Sequence, residues 1–314
     1  MIGKEHNHTD EHGHKEHTKR HTHSHDITNI SGKKIFWVTV LNLVITVAEV
    51  IGGLVSGSLA LLSDSMHNLS DTLAIALSYL ANKISGKPKN IKKTFGYKRA
   101  EIIAAFINSF VLFIISFWLI FEAYKRFKSP EIIDGNLMLV VAVIGLVANL
   151  VSVYLLEKDS HNNLNIKSSY LHLISDTVSS IGVIIGGIVI KVWHIAWVDP
   201  LITLIISLYI IKQSWNILKK SIDIFMQGSP DLDYEAIKHD IESIVMVKNI
   251  HHIHAWMMNE KTIHFEAHID VEDMKVSAIQ KIYCQIEYVL KEHYGISHIT
   301  IQPEVDKCEC KEPF

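Results

Sequence analysis

Two strings in this sequence, His67-Asn-Leu-Ser-Asp71 and His172-Leu-Ile-Ser-Asp176, repeat one H-x-x-S-D pattern. On a helix, positions i and i+4 share a face about 5 to 6 Å apart, so each string presents an imidazole and a carboxylate side by side. Two such faces brought together supply two nitrogen and two oxygen ligands. That tetrahedral set suits Zn²⁺, whereas Mg²⁺ and Ca²⁺ favour all-oxygen shells and Cu(I) favours thiolates. Cobalt and cadmium stay compatible with it. Both strings lie in apolar surroundings, where an ionised Asp at the centre of a membrane helix costs about 2.5 to 3.5 kcal/mol. A wet helix interface or an interhelical hydrogen bond explains one such His-Asp pair, but two at matching spacing point to a shared ligand.

The elements that must carry these strings are long. A hydrocarbon core about 30 Å thick needs about 20 mostly apolar residues in a helix, and six runs of that kind are expected: Ile35 to Ser56, Ser58 to Ala81, Ala100 to Tyr124, Asn136 to Leu156, Asn165 to Val192 and Asp199 to Leu218. The second and fifth hold the two strings. All six prolines lie outside the interiors of these runs, as uninterrupted helices require. The loop after the second run carries Lys83, Lys87, Lys89, Lys92, Lys93, Lys98 and Arg99, so the positive-inside rule places it in the cytoplasm. With six spans, both termini are then cytoplasmic, although Lys125, Arg126 and Lys128 oppose the rule.

The expected divisions are a disordered His-rich cytosolic arm over 1–32, a six-helix transmembrane domain over 33–220, a cytosolic domain over 221–306 and a Cys-containing tail over 307–314. Twenty histidines stand out in the composition and raise the weight of metal or proton handling. Eight of them, from His6 to His25, stand among Lys, Glu and Thr in a hydrophilic tract with no signal-peptide pattern. Such a tract cannot bury a core. It reads as a loose metal-gathering arm or as a solvated tail. Three cysteines cannot make a disulfide framework, and the C-x-C spacing of Cys308 and Cys310 fits a soft metal better.

After the last run the pattern becomes helix, strand, strand, helix, strand. A helix is expected from Pro230 and Asp231 to about Val245, a hairpin of Ile250 to Met258 with Thr262 to Val271, a helix from Val276 to Tyr294, and a last strand over Ser297 to Gln302. This is a small α+β, ferredoxin-like domain with its helices on one sheet face. In the second strand Ile263, Phe265, Ala267 and Ile269 alternate with His264, Glu266, His268 and Asp270, and in the last strand Ile299 and Ile301 alternate with His298, Thr300, Gln302 and Glu304. One sheet face is therefore rich in ligands. An ordinary solvated face is the alternative.

Ser58-Leu-Ala-Leu-Leu-Ser-Asp64 leading into His67 and Asp71, Phe95-Gly-Tyr-Lys-Arg99-Ala-Glu101, His172 with Asp176, His251-His-Ile-His254-Ala-Trp256 and Ile299-Thr-Ile-Gln302-Pro-Glu304 together resemble the cation diffusion facilitator family, and its bacterial zinc exporters in particular. The resemblance covers nearly the whole chain. It implies a homodimeric exchanger of the cell membrane that moves zinc against protons through His67, Asp71, His172 and Asp176, with no enzymatic activity and no nucleic-acid partner. A histidine at position 67, where some members have aspartate, implies a preference for zinc over cadmium. It also favours a cytosolic metal site from His251, His268 and Glu304, with Cys308 and Cys310 near enough to join. Strand register leaves His251, His252 and His254 as alternatives. Tyr97 stands where some members have a histidine ligand, so no site is expected in that loop. An integral-membrane metalloenzyme would need more intramembrane histidines, and a zinc sensor or buffer would leave the doubled string without a role.

Overall fold

A computed structural model describes residues 25–160 and 164–305, with side chains described over 37–157 and 170–305. Six long helices come first: α1 (His25–Ser56), α2 (Leu59–Ser85), α3 (Ala100–Lys128), α4 (Gly135–Ser160), α5 (Leu164–Trp193) and α6 (Val198–Phe225). Among the described residues, α1, α3, α4, α5 and α6 contain stretches long and apolar enough to cross a membrane. The exception is α2, because it concentrates Ser63, Asp64, Ser65, His67, Ser70 and Asp71 in two turns. It packs against α1, α3, α5 and α6 instead, and most of those polar residues are buried. The exposed apolar side chains of α2, among them Leu73, Ile75 and Leu80, come after this polar stretch. Ile107, Phe110, Phe117, Trp118 and Phe121 of α3 are exposed, as side chains facing hydrocarbon should be.

The helices pair as α3 with α6 and α4 with α5, while α1 touches both α2 and α4. The turn from α1 to α2 is two residues, Gly57 and Ser58, and Gly57 takes φ +73, a conformation open to glycine at little cost.

The soluble part contains α7 (Tyr234–Glu242), β1 (Val247–Asn259), β2 (Thr262–Val271), α8 (Val276–Glu292) and β3 (His298–Glu304). Its sheet order is β1-β2-β3, antiparallel between β1 and β2 and parallel between β2 and β3. Ile237 and Ile241 of α7, Ile282, Ile286 and Leu290 of α8, and Ile250, Phe265 and Ile269 of the sheet form one buried core. Both helices therefore lie on the same sheet face, the expected α+β arrangement.

Several boundaries differ from expectation. Residues 25–32 of the expected disordered arm are helical, since α1 starts at His25; the other arm histidines lie outside the described residues, as do Cys308 and Cys310. The sixth helix continues past residue 220 to Phe225, because the amphipathic stretch from Lys219 keeps Ser221 and Ile224 buried. Asp233, not Pro230, begins α7: its side chain accepts from the Ala236 amide at 3.0 Å, the N-cap role open to Asp and closed to Pro. β3 runs on through Pro303, tolerated because β3 is an edge strand.

Two outcomes follow. Phe265→Ala, emptying the centre of the soluble core, should lower unfolding stability by about 3 to 5 kcal/mol, read from a denaturant melt followed at Trp256. Tyr294 donates to Asp240 Oδ2 at 2.8 Å, and burial with this bond raises its pKa from 10.0 to about 12. A raised folded-state value means that the contribution is complete below pH 10.0 and fades as pH climbs through about 12. Ultraviolet titration should find Tyr294 ionising late, and Asp240→Ala should shorten that delay while the share due to burial remains.

Candidate metal centre

The two H-x-x-S-D strings meet. His67 and Asp71 face out of the middle of α2 and His172 and Asp176 out of α5, and the four side chains converge between the helices. His67 Nε2 stands 3.5 Å from Asp71 Oδ2 and 3.9 Å from Asp176 Oδ1. His172 Nε2 is 3.1 Å from Asp71 Oδ2 and 3.6 Å from Asp176 Oδ2. The two imidazole rings are edge to face, with centroids 5.9 Å apart. A tetrahedral ion with bonds of about 2.0 Å has ligand-to-ligand edges of about 3.3 Å, so these separations bracket what one ion requires. Ligand atoms of His67, Asp71 and Asp176 all lie within 4.8 Å of one another, and His172 makes the shortest single approach, to Asp71.

Burial is graded across the four. The side chains of His67 and Asp176 are 8% and 3% exposed, those of Asp71 and His172 31% and 39%. Asp176 Oδ1 is buried without a hydrogen-bond partner. An orphaned carboxylate oxygen facing an imidazole is costly unless something positive comes between them. A cavity of about 490 Å³ opens beside His67 and Asp176 between α5 and α6, reaching Ser179, Ile206 and Tyr209. A second cavity, of about 80 Å³, touches Asn42, Asn68, Asp71, His172 and Asp176.

Three further polar residues brace this site. Glu49 of α1, buried, accepts from Asn68 Nδ2 at 3.1 Å, next to His67. A Cβ on Gly145 of α4 would lie 2.0 Å from Glu49 Oε1, so α4 can close over that carboxylate only at a glycine. Asp64, one turn from His67, accepts from the hydroxyls of Ser179 and Ser180 of α5. Asn149 of α4 donates to Ser180 Oγ at 3.4 Å. Packing and hydrogen bonding are therefore the roles of Glu49 and Asn149, and Asp64 ties the two ligand-bearing helices together.

Residues 35–226 match the family model of the cation efflux transmembrane domain and residues 229–306 that of the cation efflux protein cytoplasmic domain. The chain belongs to the cation efflux family. Members of the family are transporters, not enzymes. Relatives include the metal cation efflux system protein CzcD of Cupriavidus metallidurans, 36% identical over 91% of both chains. The zinc transporter ZitB of Escherichia coli is 35% identical over 93% of both. A protein of Bacillus subtilis named cadmium, cobalt and zinc/H(+)-K(+) antiporter is 37% identical over 90% of this chain and 92% of its own. The family match agrees with the resemblance drawn from the sequence strings.

The family's cytoplasmic domain holds a second cluster. A bulge in β1, where His252 takes φ +52, shifts the register so that His251 pairs with His268 and His254 with Glu266. This resolves the three candidates: His251 turns inward, with Nε2 3.6 Å from Glu304 Oε2, while His268 Nδ1 lies 3.2 Å from Glu304 Oε1. His252 and His254 sit outside it with their Nε2 atoms 3.3 Å apart. The three ligand atoms of His251, His268 and Glu304 fit within 4.8 Å of one another. Alternation alone could not reveal this, since a bulge breaks the period of two.

Two contacts join the domains. Lys220 Nζ meets Glu260 Oε1 at 2.9 Å, and Phe95, in the loop after α2, packs edge-on to His264 with centroids 5.4 Å apart. Burial first, then the nearby His298, Lys98 and Lys89, hold the His264 pKa below its usual value. In that loop Tyr97 accepts from Asn90 Nδ2 at 3.0 Å, a structural role in place of a ligand.

Removing the donor that Glu49 relies on, with Asn68→Ala, leaves a buried carboxylate without that partner and should cost about 1 to 3 kcal/mol. Thermal unfolding in detergent checks it, with Asn68→Gln as the variant expected to lose less.

Proposed function

We propose that this chain exports zinc from the cytoplasm across the cell membrane in exchange for protons, with His67, Asp71, His172 and Asp176 as the four ligands of the transported ion. The observation that carries this reading is the convergence of the two strings at separations of 3.1 to 3.9 Å, around a carboxylate oxygen with no hydrogen-bond partner. Two nitrogens and two oxygens favour zinc over the hard cations. The relatives' names, which speak of zinc, cadmium, cobalt and H(+), support the same substrate class. The basic loop from Lys83 to Arg99 supports an orientation with both termini in the cytoplasm.

In the cycle, the ion enters a site of neutral imidazoles and ionised carboxylates, the helices rock, and protons arriving from outside compete for the same atoms. Ligand protonation weakens metal binding, so an inward proton gradient drives release. The cluster of His251, His268 and Glu304, with Cys308 and Cys310 following it in the chain, is the second metal region, and zinc there would draw two protomers into a homodimer. The histidine arm beyond the described residues would feed metal to either site.

Purified protein in sealed vesicles should accumulate zinc in response to an imposed pH gradient, and His172→Ala should lose at least about 90% of that flux, a loss of about tenfold for a ligand worth about 1.4 kcal/mol. A His172→Ala protein that transports like the parent sinks the site assignment. His67→Asp should raise cadmium flux relative to zinc, measured with both metals side by side.

A further inference from the structure

The start of α2 is built unlike an ordinary helix end. The first four amides of a helix have no partner inside it, and a side chain just before the helix usually satisfies one or two of them. Here the work is divided between two helices. Ser58 Oγ accepts from the Leu61 amide at 3.1 Å, while the carboxylate of Asp199, from the first turn of α6, accepts from the Leu59 amide at 2.9 Å and the Ala60 amide at 3.1 Å. The Ser58 hydroxyl then donates to Asp199 Oδ1 at 2.5 Å. Asp199 is fully buried. At the end of α3, Arg126 donates to the Gly57 carbonyl, places Nη1 3.9 Å from Asp199 Oδ2 and pairs with Glu131 at 3.1 Å. Three helix ends are thereby fastened at one carboxylate.

We infer that Asp199 is a positioning residue for transport: by capping α2 from α6, it sets the height and rotation of the helix that carries His67 and Asp71. The inference rests on reading those residues with His172 and Asp176 as the transport site. Asp199 touches none of the four. Ala60 and His67 are seven positions apart in sequence, about 10 Å along the axis at 1.5 Å per residue, so the effect travels through the helix. The leverage is geometric. α5, which supplies the other two ligands, packs mainly against α4, whereas α2 packs mainly against α1, α3 and α6 and only lightly against α5. A slip at the root of α2 therefore displaces one His-Asp pair against the other, and ligand sets lose affinity steeply when misplaced by fractions of an ångström.

The test uses the full chain, reconstituted in vesicles, with initial zinc flux measured over a range of zinc concentrations. Asp199→Asn preserves size but turns one acceptor oxygen into a donor that faces amide hydrogens. It should raise the zinc KM by about tenfold, with a smaller fall in maximal rate per folded protein, and should raise the cadmium-to-zinc flux ratio. Ser58→Ala should move KM in the same direction by less. A purely structural role would lower the yield of folded protein and leave KM where it was. An unchanged KM in folded Asp199→Asn overturns the inference, and should that variant not fold, an unchanged KM in Ser58→Ala overturns it equally. His172→Ala, run alongside, separates the two readings. Parental flux there overturns the site assignment, whereas lost flux there with an unchanged KM in the Asp199 and Ser58 variants overturns the positioning role alone.

Discussion

Everything in the membrane part follows from the difficulty of holding ionisable groups in a low-dielectric medium. Asp64, Asp71, Asp176 and Glu49 all lie within the helical bundle, and each needs a donor or a cation. The structure answers in two ways. Glu49 and Asp64 receive donors from neighbouring helices, Asn68 in one case and Ser179 with Ser180 in the other. Asp71 and Asp176 instead face imidazoles across a gap suited to an ion. The first pair therefore makes the bundle cohere, and the second leaves it with a place to fill. A helix as polar as α2 exists in such a medium only because α1, α3, α5 and α6 enclose it.

The same principle explains what the sequence disclosed. The repeated H-x-x-S-D string located both halves of the site, since helical spacing is a local property and the ligand types are distinctive. Six helices and the order of elements in the soluble domain were legible from hydropathy and period. Partnerships between helices were not. Asp199 opens the sixth apolar run, and nothing local shows that its carboxylate serves α2, more than a hundred positions away in the chain. Glu49 and Asp64 were visible as polar residues at depth, but their donors sit on other helices. In the soluble domain, the bulge at His252 hid which histidine turns inward, because a period-two pattern carries no information about an inserted residue.

The two metal clusters differ in the mobility of their frames. His251, His268 and Glu304 project from adjacent strands of one hydrogen-bonded sheet, so their mutual positions are fixed by backbone ladders. His67 with Asp71 and His172 with Asp176 belong to two separate helices, joined by side-chain bonds such as those of Asp64 with Ser179 and Ser180 and by no backbone ladder, so that set is divided between two bodies. A rigid cluster suits retention of an ion, and a divided one suits its passage. Phe95 against His264 and Lys220 against Glu260 provide the physical connection between the two.

The unequal cavities beside the intramembrane set bear on hydration. A divalent cation travels in water with a tightly held shell, and it must shed that shell before four protein atoms can replace it. The cavity of about 80 Å³ at Asp71, His172 and Asp176 has room for few water molecules, whereas the one of about 490 Å³ at His67 and Asp176 has room for a full shell. In the conformation described, Asp176 thus borders both a cramped space and a roomy one, and water reaches the four side chains unequally.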